Sequence, residues 1–268
     1  MDWIQATVLA LIQAITEFLP ISSSGHLILA PHVFGWQDQG LLFDIAANTG
    51  TLLAVLVYFR EDVGRLTQGF VRTLANRSPT SDPDGYLAWA VGFATIPAGL
   101  AGLAFKNLIE DYARSPALVA TTLILFGLLL GVADLWGKRE KILASMTWSH
   151  ALLIGVGQAL ALIPGTSRSG ITLTVGLLLG YNREGAARFA FYLAIPIGVL
   201  AGILDIRDLM RAQLSAQDWL AMAIGVGVSA LAGYLVIHLL LGWVRKHSLM
   251  PFVVYRLLLG AAIFAFLV

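Results

Sequence analysis

Glu17 closes a short apolar run, 4–19, and stands four residues after Gln13, so on a helix the two side chains share a face. A carboxylate beside an apolar helix is costly in lipid and is kept where it meets a cavity or a partner. Pro20 then breaks the run, and Ser22, Ser23, Ser24, Gly25 and His26 follow. Hydroxyls in such a break can cap a new half-helix. Together with free backbone N–H groups they can also cradle an anion at the positive helix end. One hydroxyl could act as a nucleophile if a neighbouring base takes its proton, and His26 is the proton shuttle nearest in sequence. The competing reading of Glu17 is structural, a carboxylate paired with Arg168 or His26 to hold helices together.

A second short run, 152–163, breaks at Pro164-Gly-Thr-Ser-Arg-Ser-Gly-Ile-Thr172. Here Arg168 stands among hydroxyls and small residues that let main-chain amides approach a ligand. Guanidinium geometry suits phosphate oxygens bidentately, so this break reads as an anion site. Arg256, after Tyr255 in the last apolar segment, is a second cation for which pairing and ligand binding both stay open. One break thus supplies carboxylate, hydroxyl and imidazole, the other cation and hydroxyls. That division suits phosphoryl transfer, which needs an activated nucleophile and charge stabilisation on the transferring group. A substrate reaching such a site from lipid is a phosphorylated lipid.

The elements that must position these residues follow from composition. Of 268 residues 58% are hydrophobic and only 12% charged, and the mean hydropathy is +0.80. A soluble domain carries about 25% charged residues. Intrinsic disorder is excluded on the same ground, and the chain reads as an integral membrane protein. Net charge +1 argues against nucleic acid as a partner, and zero cysteines remove disulfides and thiolate chemistry. No basic residue precedes the first apolar run, so that run is expected to belong to the mature fold rather than to a cleaved leader.

Six apolar segments, 41–59, 87–105, 116–136, 189–206, 219–243 and 251–268, are long enough to span a bilayer. The runs ending at the two breaks are not, and each is followed by another short limb. Interrupted segments at corresponding positions of two halves mark discontinuous helices around a midplane site. The halves, 1–136 and 149–268, correspond through Gln13-Ala14 and Gln158-Ala159, through Gly25 and Gly170, and through Pro116 and Pro251. The expected fold is therefore an all-α polytopic membrane protein, a single membrane domain of six transmembrane helices plus two re-entrant helix pairs, arranged as an inverted-topology repeat. Basic residues agree with three crossings per half. Arg60, Arg65, Arg72, Arg77, Lys138, Arg139, Lys141, Arg183, Arg188, Arg245 and Lys246 fall on one side, against Lys106, Arg114, Arg207 and Arg211 on the other. The positive-inside rule makes the first side cytoplasmic and leaves both termini outside. Trp3, Trp36, Trp136 and Trp243 near segment ends fit interfacial anchoring.

Gln13-Ala-Ile-Thr-Glu17-Phe-Leu-Pro-Ile-Ser-Ser-Ser-Gly-His26 resembles the first signature of the undecaprenyl-diphosphate phosphatases, the bacitracin-resistance proteins, and 164–172 resembles their P-G-x-S-R-S-x-x-T signature. The likeness spans essentially the whole chain. It implies removal of the terminal phosphate from undecaprenyl diphosphate, which regenerates the monophosphate carrier lipid for peptidoglycan and confers bacitracin resistance. The implied setting is a bacterial plasma membrane, with the active site on the extracytoplasmic side and a polyprenyl diphosphate and the bilayer as partners; a homodimer is left open. Glu17, Ser23, His26 and Arg168 are the implied catalytic residues. Gln13, Ser22, Ser24, Ser167, Ser169, Thr172 and Arg256 make up the expected substrate-binding set. In mechanism, Glu17 and His26 activate Ser23, or a water in its place, and Arg168 neutralises developing charge. The family also implies a divalent cation, Mg or Ca, with Glu17 a candidate ligand, and no organic cofactor. Two departures bear on this: Gln13 stands where many members have a second glutamate, and Asn48 where glutamine is expected.

Two other readings compete. Paired broken helices are also transporter architecture, so a lipid-phosphate transporter or flippase is the alternative. Ser23-Ser24-Gly25-His26 resembles an element of the lipid-phosphate phosphatases related to type 2 phosphatidic acid phosphatase, but Thr174 stands where that family's histidine would follow Arg168. An intramembrane serine protease leaves Arg168 without a role.

Overall fold

The computed structural model describes residues 1–105, 115–212 and 214–268, and the described residues are helical with no strand beyond one isolated bridge, Lys141 to Tyr181. The elements are α1 Trp3–Phe18, α2 Ser23–Phe34, α3 Gly40–Tyr58, α4 Arg60–Ala75, α5 Pro83–Ala104, α6 Pro116–Trp136, α7 Trp148–Ala159, α8 Arg168–Leu178, α9 Arg183–Arg211, α10 Ala216–Lys246 and α11 Met250–Leu267. Asp2 and Gln5 form a capping box that starts α1. Asp82, Ser115, Asn182 and Ser215 start α5, α6, α9 and α10 by accepting a first-turn N–H. The Arg72 guanidinium 2.8 Å from Asp82 holds that carboxyl below its ordinary range.

Six helices, α3, α5, α6, α9, α10 and α11, are long and apolar enough to cross a membrane. They coincide with the six segments expected from hydropathy, and α9 and α10 run further at both ends. At those ends charged turns such as Arg183-Glu184 and Arg245-Lys246 continue the helix beyond the apolar window. The stretch between the first two spans, read from sequence only as basic loop, is the amphipathic helix α4. Lys106 and Arg114, placed on the sparsely charged side, lie outside the described residues.

Large buried side chains such as Phe18, Phe59, Tyr181, Phe189 and Tyr192 fill the core, and close helix crossings at small residues supplement them. α10 packs along α3 and α1, α11 along α6, and α5 along α7. A Cβ on Gly155 would collide with the Ala94 carbonyl oxygen, so α5 and α7 touch backbone to backbone. Gly155→Val should therefore cost about 1–3 kcal/mol of stability, read as a lowered denaturation midpoint in detergent. At one end, Asp134 on α6 is fully buried. It accepts from Arg183 Nε at 2.5 Å and from the Leu249 N–H at 2.9 Å, which ties the starts of α9 and α11 to the end of α6.

α1, at 16 residues, covers about 24 Å at 1.5 Å per residue, short of a bilayer core of about 30 Å. α2 packs back on α1, and α8 back on α7. One interval in sequence separates Trp3 from Trp148, Ser22 from Ser167, Gly25 from Gly170 and Gly35 from Gly180. Three of the four pairs hold matching places: helix starts at Trp3 and Trp148, N-cap positions at Ser22 and Ser167, and left-handed glycines after the second limbs at Gly35 and Gly180.

Candidate active site

The two breaks have nearly the same backbone. Ser22 has φ 75°, ψ 102°, and Ser167 has φ 70°, ψ 114°. Positive φ on a residue with a Cβ costs about 1–3 kcal/mol and gathers at functional sites. Here it turns the chain sharply enough that Ser23 and Arg168 become the first residues of α2 and α8. The hydroxyls repeat the likeness, Ser22 Oγ to Ser24 Oγ at 3.1 Å and Ser167 Oγ to Ser169 Oγ at 3.2 Å. Each break also reaches the other. The Gly165 N–H donates to Ser24 Oγ at 3.2 Å, and the Ser169 hydroxyl donates to the Leu19 carbonyl at 3.1 Å. Gly165 sits at φ +84°, where a Cβ would strike Thr122 Oγ1, and that hydroxyl donates to the Pro164 carbonyl at 2.5 Å.

Glu17 is where the breaks meet. Its Oε2 accepts from Ser23 Oγ at 2.7 Å and from Gln13 Nε2 at 3.2 Å, and its Oε1 accepts from an Arg168 terminal nitrogen at 2.5 Å. Gln13 Nε2 also donates to Asn48 Oδ1 at 2.7 Å, which brings α3 into the site. Side-chain exposure is 13% for Glu17 and 27% for Arg168, so the pair is sheltered but reachable. The other N–H groups of Arg168 make no hydrogen bond within the described residues and are left for a ligand.

A cavity of about 550 Å³ leads away from this point between α3 and α9. Glu17, Arg168 and Asn48 line its inner end, while Leu52, Val55, Ile197 and Ile203 line its walls. Its lining extends along α3 from Ile45 to Val55 and along α9 from Ala194 to Ile206. A charged inner end with apolar walls suits an amphiphile whose head is anionic.

The remaining expected site residues are placed differently. The His26 ring hydrogen-bonds the Ser22 carbonyl and the Tyr255 hydroxyl, not Ser23. Its Nδ1 lies 2.7 Å from the Ser22 carbonyl, which can only accept, so Nδ1 carries the proton. In the neutral ring Nε2 then accepts from the Tyr255 hydroxyl at 2.7 Å, with the two rings stacked. Ser22 and Ser167 are buried; the Ser167 hydroxyl caps α8 by accepting from Gly170 N–H at 3.2 Å. The Thr172 hydroxyl turns back to the Arg168 carbonyl at 2.8 Å. Arg256, expected as a second substrate cation, is fully buried with every N–H bonded to a main-chain carbonyl, so it has no donor left for a phosphate. Tyr255 and Thr122 were not singled out from sequence, since a tyrosine or threonine in an apolar helix gives no sign of a distant partner.

The donor set does not fit a resident divalent cation. Mg and Ca need several oxygen ligands and net negative charge. Around Glu17 there is one carboxylate, already bonded to Ser23 and neutralised by Arg168, and two amides, of which Gln13 turns its NH2 to Glu17 and Asn48 and leaves its oxygen buried without a hydrogen bond among the described residues. Among the described residues no group of three or more His, Cys, Asp or Glu could hold a metal. What the arrangement can do is accept the Ser23 proton on Glu17 while Arg168 and two helix N-termini stabilise an anion beside it.

The family model described as "Bacitracin resistance protein BacA" matches residues 6–262. Similar curated proteins are the undecaprenyl-diphosphatase of Magnetococcus marinus (52% identical over 267 residues, covering 99% of this chain and 99% of the relative) and undecaprenyl-diphosphatase 2 of Stutzerimonas stutzeri (53% over 266 residues, 98% and 97%). The undecaprenyl-diphosphatase of Saccharophagus degradans is 51% identical over 265 residues, covering 99% of this chain and 98% of the relative.

Proposed function

The chain belongs to the family of the bacitracin resistance protein BacA, and from that premise we propose that it is an integral membrane phosphatase that hydrolyses undecaprenyl diphosphate to undecaprenyl phosphate and inorganic phosphate. The activity recycles the carrier lipid for cell-wall synthesis and so confers bacitracin resistance. The observation that carries the reading is Glu17 held between the Ser23 hydroxyl and the Arg168 guanidinium at the inner end of an apolar cavity.

The substrate diphosphate enters with its terminal phosphoryl group at Arg168 and its isoprenoid in the cavity and the surrounding lipid. Ser23 Oγ attacks the terminal phosphorus as Glu17 takes its proton, and the bond to the bridging oxygen breaks, releasing the lipid monophosphate. Glu17 passes that proton to the departing phosphate oxygen and, ionised again, takes a proton from the water that attacks the seryl phosphate, returning it to Ser23 Oγ as inorganic phosphate leaves. Arg168, Ser24, Ser169 and the first amides of α2 and α8 stabilise the equatorial oxygens. His26, bonded to Tyr255, serves proton exchange with the site rather than deprotonation of Ser23.

The α1–α2 and α7–α8 pairs are read as re-entrant, and halves 1–136 and 149–268 as an inverted repeat, supported by the matched Ser22 and Ser167 backbones. With basic α4 on the cytoplasmic side of a bacterial plasma membrane, the end of the cavity lined by Ile45 and Ile206 is the extracytoplasmic end, where the substrate enters. A divalent cation, Mg or Ca, arrives bound to the substrate diphosphate rather than to the protein. Without substrate, the purified protein should then bind no stoichiometric Mn by electron paramagnetic resonance; one tight equivalent would contradict this.

The deciding experiment is phosphate release from undecaprenyl diphosphate by purified protein in micelles, with lipid movement across proteoliposomes measured alongside. Turnover in micelles is expected. Lipid movement without phosphate release would establish the transporter reading instead.

A further inference from the structure

Arg256 reaches out of α11 into the space between the two breaks. Its Nε donates to the Leu123 carbonyl at 3.1 Å. One terminal nitrogen donates to Pro20 at 3.3 Å and Thr166 at 3.0 Å, the other to Thr122 at 3.3 Å and Gly165 at 3.0 Å. The five donors of a guanidinium are thereby used up. No carboxylate pairs with it among the described residues, so the desolvation cost of a buried cation is met by carbonyl dipoles alone. Room is made by two glycines: a Cβ on Gly127 would lie 3.2 Å from Arg256 Cβ, and one on Gly170 would lie 2.9 Å from a terminal nitrogen.

The carbonyls it holds are informative. Pro20 stands two residues before the N-cap Ser22, and Gly165 and Thr166 stand immediately before the N-cap Ser167. A carbonyl drawn toward Arg256 fixes the peptide planes ahead of each cap, and with them the direction in which the first residues of α2 and α8 emerge. Those residues are Ser23 and Arg168, the two that meet on Glu17. The Thr122 and Leu123 carbonyls anchor the same guanidinium to α6.

We propose that Arg256 is a positioning residue that clamps both breaks in one register, so that Ser23 and Arg168 converge on a single carboxylate, and that it does not itself bind the phosphate. The inference rests on the phosphatase reading above. Arg256→Lys keeps the charge but loses the planar fork. In folded, monodisperse protein it should lower kcat about a hundredfold, the scale of effect of a roughly 1 Å misplacement, with KM within about threefold of wild type. A purely structural arginine would instead lower the melting temperature and leave both constants unchanged per folded molecule, and that result would overturn the clamp. A raised KM at unchanged kcat would restore Arg256 as a substrate ligand and also overturn it. Should Arg256→Lys fail to fold, Gly127→Ala retains the guanidinium but displaces it, and the same loss of kcat is required of it. Glu17→Gln in the same assay separates the two levels: if it turns over normally, the phosphatase site is misassigned, whereas an inactive Glu17→Gln beside a normal Arg256→Lys removes the clamp alone.

Discussion

Glu17→Gln lowers kcat for phosphate release by about a thousandfold, within the range that general-base removal produces, and leaves a folded protein. The substitution is isosteric, so Gln13 and Asn48 keep their places, and an amide oxygen can still accept from Ser23. What is lost is the capacity to take the Ser23 proton as the oxygen attacks phosphorus. Arg168 also loses its counter-charge, which in this sheltered but open site leaves it drawn more strongly to an anion. A diphosphate should therefore bind Glu17→Gln at least as tightly as wild type, and KM should not rise. Phosphate release in detergent measures the first effect, and a binding isotherm with a non-hydrolysable diphosphate lipid measures the second. Near-normal turnover would remove Glu17 from the reaction.

Arg168→Ala is expected to cost about a thousandfold or more in kcat/KM, comparable to loss of an arginine that stabilises a transferring phosphoryl group. Arg168→Lys should recover little of this, because a point charge lacks the fork that can hold Glu17 and a phosphate oxygen together. The combined Glu17→Gln, Arg168→Ala variant should be scarcely worse than either alone, since residues acting as one unit are not additive. Strict additivity would mean that the carboxylate and the guanidinium serve separate steps.

The covalent punctuation of the chain made much of the fold legible. Pro20 and Pro164-Gly165 stop two apolar runs that are too short to span, and six longer runs become the six long helices. Glu17, Ser23 and Arg168 stood out because polar side chains at such breaks have few other uses in lipid. α4 did not, because a polar amphipathic helix and a basic loop differ in periodicity more than in composition. The partners of His26 and Arg256 were illegible for another reason. Tyr255 lies 229 residues from His26, and which carbonyls lie near a guanidinium depends on how helices cross. Ser22 and Ser167 run against local preference altogether, because nothing in a serine announces a positive φ. Only the packing around the breaks imposes it.

The grip of Arg256 on both breaks bears on how the protein is made. Translation delivers α1 and α2 before α7 and α8, and α11 after both, so the residue bonded to the Pro20, Gly165 and Thr166 carbonyls enters the membrane after everything it holds. A nascent chain halted before α11 contains Glu17, Ser23 and Arg168 but lacks the guanidinium bonded to the main chain of both breaks. On the clamp reading, competence to hydrolyse the lipid diphosphate then waits for α11.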